Sequence, residues 1–243
     1  MSEQRFELVY SPIVSIFKTL WRTLDLQFDI RGESNIPRTG PAIMAINHVS
    51  YLDFALAGTA ALPAKRFVRF MAKREIFDHP VTGPLMRGMR HISVDRKNGA
   101  PSFVEALKYL QRGEIVGIFP EATISRSFEL KDMKSGVTRL AIDSSAPVLP
   151  TVIWGSQRIW TKQLARDFSR SRYPISIYVG APLYFQSDPE GSLILLKEAM
   201  QGLLDKAIND YPDSPIGQRW APARIGGTAP TPAMIEAERR KEI

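Results

Sequence analysis

The chain has 243 residues, 44% of them hydrophobic and 23% charged, a composition that supports a substantial core and excludes an intrinsically disordered protein. Lysine and arginine outnumber aspartate and glutamate by 32 to 25, and the net charge of +7 indicates an anionic partner: a phosphate-bearing substrate, a membrane surface or nucleic acid. The lack of cysteine excludes disulfides, a thiol nucleophile and cysteine-ligated metal sites.

The first predicted element is an amphipathic helix at residues 11–25. Ser11 is expected to cap it, and Pro12 suits its first turn. Apolar residues recur on one face at helical spacing, and Lys18 and Arg22 lie on the other. Such a helix packs on the domain core or lies in a membrane interface, and the residues alone favour the core. The apolar positions are Ile13, Ile16, Phe17, Leu20, Trp21 and Leu24.

From residue 26 onward, predicted strands and helices alternate. Strands are predicted at 26–32, 42–47, 66–72, 91–95, 115–119, 148–153 and 174–180, and helices at 51–62, 101–111, 135–144 and 189–209, with a loop or helix at 79–89. This order predicts an α/β domain over residues 26–211, with a mixed, largely parallel sheet flanked by helices. Residues 212–243 are rich in proline, glycine and charge and are predicted to be a peripheral tail.

No segment is predicted to span a membrane. The longest runs without charged residues are shorter than the roughly 20 apolar residues that a spanning helix needs, and they contain proline. The N-terminus has no basic region followed by an apolar stretch, so a secretory signal is not expected. We therefore expect the protein in the cytosolic compartment, on a surface.

The sharpest chemical signal directly follows the second predicted strand, where His48 precedes Asp53 by five residues. On a continuous helix these side chains would lie roughly 140° apart, so they meet only if the chain bends between them. Ser50 and Asp53 form a capping-box pattern that supplies this bend. A carboxylate in this place fixes the imidazole tautomer and stabilises the ring when it takes a proton. A simple helix cap is the alternative, but open α/β sheets bind ligands at this end of a central strand.

A second signal is the polar loop at residues 120–127, which follows the buried strand at 115–119. Glu121 is expected to bind a substrate hydroxyl or to orient the loop. Arg126 is suited to phosphate, and the hydroxyls of Thr123 and Ser125 can donate to it. Taken alone, an ordinary strand-to-loop junction is the better interpretation.

A third signal is the basic stretch 65–97, in which nine lysines and arginines stand against three acidic residues. Arginine is suited to bidentate phosphate recognition, and Arg96 follows the strand at 91–95. A solvated basic face is the alternative. No nucleic-acid-binding motif and no stacking pattern of aromatic residues accompanies the charge, so nucleic acid is not the expected partner.

Together, the order and spacing of these segments resemble the glycerolipid acyltransferase family, specifically the 1-acylglycerol-3-phosphate (lysophosphatidate) acyltransferases. The family's first motif, N-H-x4-D, is similar to NHVSYLD, its second to HISVDR, its third, F-P-E-G-T-R-S, to FPEATIS, and its fourth to VLPTVI. The lysine-rich segment between the first two motifs resembles MAKREIFDHPVTG, and the family's Lys-x-Gly segment resembles MKSGVTRLAI. The resemblance covers residues 35–180. Ala122 replaces the usual glycine and Ile124 the usual arginine of the third motif. These departures make Arg126 the candidate to assist Arg96 and leave room for a different headgroup.

The resemblance implies a glycerol-3-phosphate acyltransferase-like α/β fold and transfer of an acyl group from acyl-CoA or acyl carrier protein to lysophosphatidate, giving phosphatidate. His48 would act as general base, oriented by Asp53, with no acyl-enzyme, no metal and no cofactor. The implied substrate-binding residues are Arg96, Glu121, Thr123, Ser125, Arg126, Lys73 and Lys134. The helix within residues 1–25 would then seat the protein, as a peripheral or monotopic enzyme, on the anionic cytoplasmic side of the cell membrane. Four further arginines are expected to form a basic rim that faces this membrane: Arg66, Arg69, Arg87 and Arg90.

Three alternatives remain open. The same chemistry can serve another acceptor, such as glycerol 3-phosphate or another lysolipid. A non-catalytic protein that binds lipid or anions is less favoured because of the His48–Asp53 pair. A metal hydrolase that uses His48 and His91 ranks last, since no further ligand cluster accompanies them.

Overall fold

A computed structural model of the chain describes residues 7–241, and in this range seven strands form one sheet in the order β1-β7-β6-β2-β5-β3-β4. The strands are β1 (Gln27–Arg31), β2 (Ala42–Ile46), β3 (Val68–Lys73), β4 (Ile92–Val94), β5 (Ile115–Ile118), β6 (Val148–Trp154) and β7 (Pro174–Val179). The helices are α1 (Tyr10–Thr23), α2 (Asp53–Ala61), α3 (Arg74–Asp78), α4 (Thr82–Gly88), α5 (Ala100–Gln111), α6 (Gly136–Ser144), α7 (Pro189–Asn209) and α8 (Pro232–Lys241). The predicted strands and helices lie within two residues of these bounds, the segment predicted as a loop or helix at 79–89 contains α4, and α3 and α8 were not predicted.

The sheet is mixed and largely parallel, which confirms the predicted fold class. Strands β2 to β6 run parallel to one another, because β2 pairs in parallel with β5 and β6, and β3 with β4 and β5. At the other edge β7 pairs antiparallel with β6, and β1 pairs parallel with β7. Every residue of β2 is buried, as expected for a central strand that is covered on both faces.

Helices cover both faces of the sheet, and the alternation of side chains along β2 shows the division. Ile43 and Ala45 belong to the hydrophobic cluster under α5, α6 and α7, while Met44 and Ile46 belong to the cluster under α1 and α2. Successive side chains of a strand point to opposite faces, so one strand supplies both cores. This three-layer arrangement leaves the ends of the strands free to carry polar loops.

Helix α1 packs on the domain through its inner face. The Tyr10 hydroxyl donates to the Val68 carbonyl at 2.9 Å, and the Trp21 indole donates to the Thr59 hydroxyl at 3.3 Å. The helix begins one residue before Ser11, whose hydroxyl accepts from the backbone N–H of Glu7, so the predicted Ser11 cap is wrong. Residues 1–6 of the predicted N-terminal segment lie outside the described residues. In residues 7–241, no helix has both the length and the apolar character that a membrane crossing requires.

The expectation that the arginines of stretch 65–97 form a membrane-facing rim is wrong for two of them. Arg69 is 1% exposed and lies in ion pairs with Glu7 and Glu114. Arg66 is partly buried and donates to three backbone carbonyl oxygens. The carboxylates and carbonyls therefore draw these guanidinium groups into the fold, where they brace the end of the domain opposite the loops described below.

The segment after α7 is partly buried, although residues 212–243 were predicted to be peripheral. Trp220 and Ala221 join the same cluster as Trp154 of β6, with the Trp154 and Trp220 ring centroids 6.4 Å apart. The guanidinium of Arg158 lies 4.6 Å from the Trp220 ring centroid. This part of the segment thus anchors the chain before α8. The division into an N-terminal helix, a domain and a tail stays a prediction.

Candidate active site

The predicted site residues come together because five parallel strands end at the same edge of the sheet. The loops that follow β2, β4, β5 and β6 carry His48, Arg96, Glu121 and Ser156, and Lys73 is the last residue of β3. The carboxyl edge of a parallel sheet is the usual place for ligands in open α/β folds.

Asp53 and His48 form a hydrogen-bonded pair. The imidazole Nδ1 lies 3.0 Å from Asp53 Oδ2, the Asp53 side chain is 0% exposed and the His48 side chain is 21% exposed. Asp53 Oδ2 also accepts from the backbone N–H groups of Val49 and Ser50 at 2.7 Å each, and Oδ1 accepts from the Ser156 hydroxyl at 2.7 Å. A carboxylate only accepts, so Nδ1 carries the proton and Nε2 presents a lone pair. This is the geometry of a general base.

The turn between the two residues forms only one of the two hydrogen bonds of the predicted capping box, and α2 begins with Leu52 at its N-cap position and without a side-chain cap. The Ser50 hydroxyl accepts from the Leu52 N–H at 3.1 Å, and Asp53, in the first turn of α2, reaches back to the Ser50 N–H. The hydroxyl does not bond the N–H of Asp53 itself, which lies 3.4 Å from the Ser50 carbonyl oxygen. The turn thereby brings two side chains together that a straight helix would separate.

The loop after β5 fixes the backbone of His48. The Glu121 carboxylate accepts from the His48 N–H at 2.9 Å, and the His48 carbonyl accepts from the Ser125 N–H at 2.7 Å. The Phe119 ring lies against the imidazole, with centroids 4.4 Å apart. His48 is therefore held at three points: Phe119 contacts its ring, Glu121 binds its backbone N–H and Ser125 binds its carbonyl.

Glu121 is 5% exposed, and each of its carboxylate oxygens is engaged by a backbone donor. Its second oxygen accepts from the Lys131 N–H at 3.1 Å. Burial raises the pKa of Glu121 to about 7, although the hydrogen bonds from His48 and Lys131 oppose that rise. The side chain bridges the turn that holds His48 and the segment that begins at Lys131.

Cations from several loops gather beside this site. Burial first, and then nearby positive charges, lower the pKa of the Lys162 ammonium. The neighbouring cations are Lys131, Arg96, Arg126 and Lys73. Among the described residues, Lys73, Arg96, Lys131 and Lys162 form no ion pair with a carboxylate. Cations that repel one another and lack carboxylate partners favour the binding of an anion.

The other predicted substrate-binding residues differ in their surroundings. The Thr123 hydroxyl is bonded to the Lys131 ammonium, and Arg96 donates to the Ala122 carbonyl at 2.9 Å. Ser125 is fully buried, and its hydroxyl donates to the Glu129 carbonyl at 2.7 Å. Thr123 and Arg96 therefore lie with the cations, whereas Ser125 supports the loop from within.

Two predicted cations at the margin of the site have other neighbours. Arg126 pairs with Glu238 of α8 at 2.8 Å. Lys134 is exposed, and its backbone N–H donates to the Pro120 carbonyl at 2.9 Å. The Arg126 guanidinium is therefore paired with a carboxylate of the C-terminal helix.

The two departures in the third motif have different structural consequences. Ala122 is exposed and has a φ of 60°, in the left-handed region that favours glycine. Ile124 is buried, and the residue is 5% exposed. The position of the usual arginine has thus become part of the core.

His91 does not share the site of His48. It is buried, its Nδ1 accepts from the Phe70 N–H at 3.1 Å, and burial lowers its pKa to about 3. The rings of Phe70 and Phe119 stack between the two histidines. Residues 7–241 contain no group of three or more histidine, aspartate or glutamate side chains arranged to hold a metal. The geometry therefore does not support the metal-hydrolase alternative.

Four residues of the site were missed from the sequence. Lys131 and Lys162 lie in irregular segments outside the four motifs, and Ser156 lies 103 positions from the carboxylate that it contacts. Arg239 of α8 is close enough to help lower the pKa of Lys131, after burial as the main cause. No periodicity or local spacing indicates such contacts.

Comparison with known proteins agrees with this geometry. A family model described as Acyltransferase matches residues 27–154. A 1-acyl-sn-glycerol-3-phosphate acyltransferase of Bacillus subtilis is 32% identical over 127 residues, which are 52% of this chain and 62% of that protein. A protein of the same description from Borreliella burgdorferi is 26% identical over 159 residues, which are 64% of this chain and 62% of that protein.

A solved structure shows a similar fold. The 1-acyl-sn-glycerophosphate acyltransferase of Thermotoga maritima has a TM-score of 0.66 and 21% sequence identity, with 84% of this chain and 81% of that chain covered. The matched segments span 62% of the length of each of the two curated relatives. Because the family model covers more than half of the sequence and includes the His48 turn and the Glu121 loop, this chain belongs to the acyltransferase family, to which the glycerolipid acyltransferases belong.

Proposed function

We propose that the protein transfers a fatty acyl group from an acyl thioester to the free hydroxyl of 1-acylglycerol 3-phosphate, giving phosphatidate in phospholipid synthesis. The observation that carries this proposal is the His48–Asp53 pair, with its open Nε2, beside cations that have no carboxylate partner. A base for a hydroxyl and a site for a phosphate are the two elements that this acceptor requires. The names of the relatives from Bacillus subtilis and Borreliella burgdorferi support the same acceptor.

In the proposed reaction His48 Nε2 takes the proton of the acceptor hydroxyl, and the oxygen attacks the thioester carbonyl carbon. The carbon–sulfur bond then breaks, and the imidazolium returns the proton to the leaving thiolate. Asp53 keeps Nδ1 protonated and stabilises the imidazolium through the 3.0 Å hydrogen bond. The scheme uses no acyl-enzyme, and it assigns no role to a metal or other cofactor.

We assign phosphate binding to Arg96, Lys73, Lys131 and Lys162, with the Thr123 hydroxyl beside them. Arg126 and Lys134 remain candidates at the margin of the same site. Glu121 and Ser125 act as positioning residues in this scheme, in place of the predicted contact with substrate. Their polar atoms are already bonded to the backbone of His48, Lys131 and Glu129.

The proposed place of action is the cytoplasmic side of the cell membrane, with peripheral or monotopic attachment and no nucleic-acid partner. A lipid acceptor with one acyl chain resides in a membrane surface. Leu8 and Ile16, before and on the outer side of α1, are exposed and support contact with such a surface. The inner face of α1 is occupied by the domain, so only this outer side is available.

The decisive experiment replaces His48→Ala and measures acyl transfer to lysophosphatidate by mass spectrometry of the lipid product. We expect kcat to fall about 10²–10⁴-fold, the usual contribution of a general base. His79→Ala is the matched control, because this exposed histidine lies outside the site, and it should retain full activity. Undiminished turnover in folded His48→Ala protein would disprove the mechanism.

A second acceptor is favoured by one specific observation, the burial of Ile124 where the family pattern has an arginine. The wild-type protein should therefore be given one acyl donor with lysophosphatidate, glycerol 3-phosphate and other lysophospholipids. Acylation of another lysolipid but not of lysophosphatidate would replace the acceptor and leave the chemistry intact. Binding to liposomes without transfer to any acceptor would favour the non-catalytic alternative.

A further inference from the structure

A cleft of about 520 Å³ opens beside the turn that holds His48, and of its lining residues only Lys162 has a role in the proposed mechanism. Its volume falls in the range of about 300–1,000 Å³ that is typical of small-ligand sites. The lining residues are Tyr51, Trp160, Thr161, Lys162, Leu164, Ala165 and Arg166. The cleft therefore combines aromatic rings with basic side chains.

Hydrogen bonds fasten this cleft directly to the catalytic turn. The Trp160 carbonyl accepts from the Ser50 hydroxyl at 2.7 Å and from the Tyr51 N–H at 3.1 Å. The Thr161 hydroxyl donates to the Val49 carbonyl at 2.7 Å. The cleft therefore has a fixed position relative to His48, which precedes residues 49–51 in the same turn.

The chemistry of the cleft suits a phosphorylated aromatic ligand. The Tyr51 and Trp160 ring centroids are 4.9 Å apart, and the Arg166 guanidinium lies 4.8 Å from the Trp160 ring centroid. Neither Lys162 nor Arg166 forms an ion pair with any residue in the described range 7–241. Rings offer stacking faces to a nucleobase, and unpaired cations attract phosphate groups.

We propose that this cleft binds the nucleotide end of the acyl donor, so that the donor is a coenzyme A thioester. This inference rests on the proposed acyl-transfer function and deepens it. The adenine base stacks on the exposed ring of Tyr51, which Trp160 supports, and the phosphates meet Arg166 and Lys162. The pantetheine arm then leads the thioester from the cleft toward His48. Lys162 lies between the cleft and the cations assigned to the acceptor, so both phosphate-bearing substrates meet at one side chain.

The test compares donors that share the reacting thioester and differ in the nucleotide. Arg166→Ala and Tyr51→Leu alter exposed side chains, so the variants should fold, and thermal unfolding checks this. Initial rates with palmitoyl-CoA and with palmitoyl-pantetheine are measured on the full chain. Calorimetric titration with free coenzyme A and adenosine 3′,5′-bisphosphate reports binding without any need for turnover. Arg170→Ala is the matched control, because this exposed arginine lies on the same loop and pairs with Asp25 instead.

We expect each variant to raise the KM for palmitoyl-CoA about tenfold and to weaken coenzyme A binding by a similar factor. The kinetics with palmitoyl-pantetheine and all properties of Arg170→Ala should be unchanged. Equal effects on both donors, or a wild-type protein that binds no coenzyme A and uses only acyl carrier protein, would overturn the proposal. Loss of vesicle binding without a change in coenzyme A affinity would overturn it in favour of a membrane contact.

The same measurements separate this proposal from the proposed function. If the wild-type protein transfers no acyl group to any acceptor, but binds coenzyme A in a manner that Arg166→Ala weakens, the acyl-transfer function fails and the nucleotide site stands. If transfer from palmitoyl-CoA is intact but insensitive to both variants, the nucleotide site fails and the function stands.

Discussion

The Asp53 carboxylate joins the start of a helix to the imidazole of His48. The sequence allowed either a simple helix cap or a partner for His48, and the structure shows the partner, because α2 has no side-chain cap at its N-cap residue, Leu52. Oδ2 accepts from the Ser50 N–H, in the turn before α2, and from His48 Nδ1, which orients the imidazole. Full burial keeps water from competing for these bonds. The bonds that Val49 and Ser50 donate to Asp53 therefore fix the carboxylate that orients the imidazole.

Glu121 is the residue whose replacement should disturb this orientation without touching the imidazole. In Glu121→Gln one of the two acceptor oxygens becomes an NH2 group. The backbone N–H of either His48 or Lys131 then faces this NH2 group and has no acceptor. We expect kcat to fall about 10–100-fold, because one unsatisfied buried donor costs about 1–3 kcal/mol. The exposed Glu198 on α7 is the control, and Glu198→Gln should retain full activity.

The same substitution tests the pH dependence of stability. The pKa of Glu121 rises from 4.5 to about 7 on folding, so the folded state holds this proton more tightly than the unfolded state. Its contribution is fully present below about pH 4.5 and is lost as the pH rises through 7, a change of about 3 kcal/mol. Urea unfolding at pH 5 and pH 8 should show the wild type losing stability relative to Glu121→Gln at the higher pH. A difference that is independent of pH would contradict the prediction.

Ala122 carries a conformational cost that the usual glycine of this motif would not. Its φ of 60° lies in the left-handed region, which costs an alanine about 1–2 kcal/mol. Ala122→Gly should raise the free energy of unfolding by about 1 kcal/mol, and Ala122→Val should lower it, because a β-branched side chain fits this region worst. Chemical unfolding of the three proteins gives the order. The side chain is exposed, so lost packing does not mask the backbone effect, and a glycine variant less stable than wild type would refute this account.

At the scale of elements, most of the sheet follows from the sequence because its strands are short apolar runs between polar loops. The pattern also locates the turn that holds His48, since the apolar run of β2 ends directly before Asn47 and His48. The buried ion pairs of Arg69 cannot be predicted from this pattern. Its partners Glu7 and Glu114 lie 62 and 45 positions away, and an isolated arginine on a strand is usually solvated.

The residues of the candidate site also divide into those that the sequence predicts and those that it does not. His48, Asp53, Arg96 and Glu121 could be predicted because each lies directly after a strand or in a turn with a recognisable pattern. Lys131 and Lys162 could not, since they lie in irregular segments whose course depends on tertiary contacts. The burial of Trp220 was missed for a related reason. A stretch rich in proline and glycine predicts loops, but it reveals neither helix α8 nor whether a loop packs on the core.

At the scale of the whole molecule, the carboxyl edge of the sheet collects charge from loops that are distant in sequence, and the C-terminal segment completes this edge. Arg224 pairs with Glu129 at 3.2 Å, which ties the segment to the loop that holds Glu121. Helix α8 then brings Glu238 to Arg126 and Arg239 near Lys131. The segment therefore has two separable parts, an anchor around Trp220 and a charged helix beside the anion site.

The two parts should respond differently to truncation. Ending the chain after residue 231 removes α8 but leaves Trp220 in place, so the free energy of unfolding should change by less than about 0.5 kcal/mol, as for other surface changes. Ending it after residue 211 also removes Trp220 from its contact with Trp154 and should cost about 3–5 kcal/mol, the usual cost of losing a buried aromatic side chain. Urea unfolding of both truncated proteins measures this difference, and equal stability of the two would show that Trp220 is not an anchor.

The ion pair between Arg126 and Glu238 leads to a separate prediction about the acceptor. The point variant Glu238→Gln should lower the KM for the phosphorylated acceptor about two- to fivefold, because a carboxylate no longer competes for Arg126 and an exposed ion pair of this kind contributes up to about 1 kcal/mol. An unchanged KM in Glu238→Gln would show that Arg126 does not contact the acceptor.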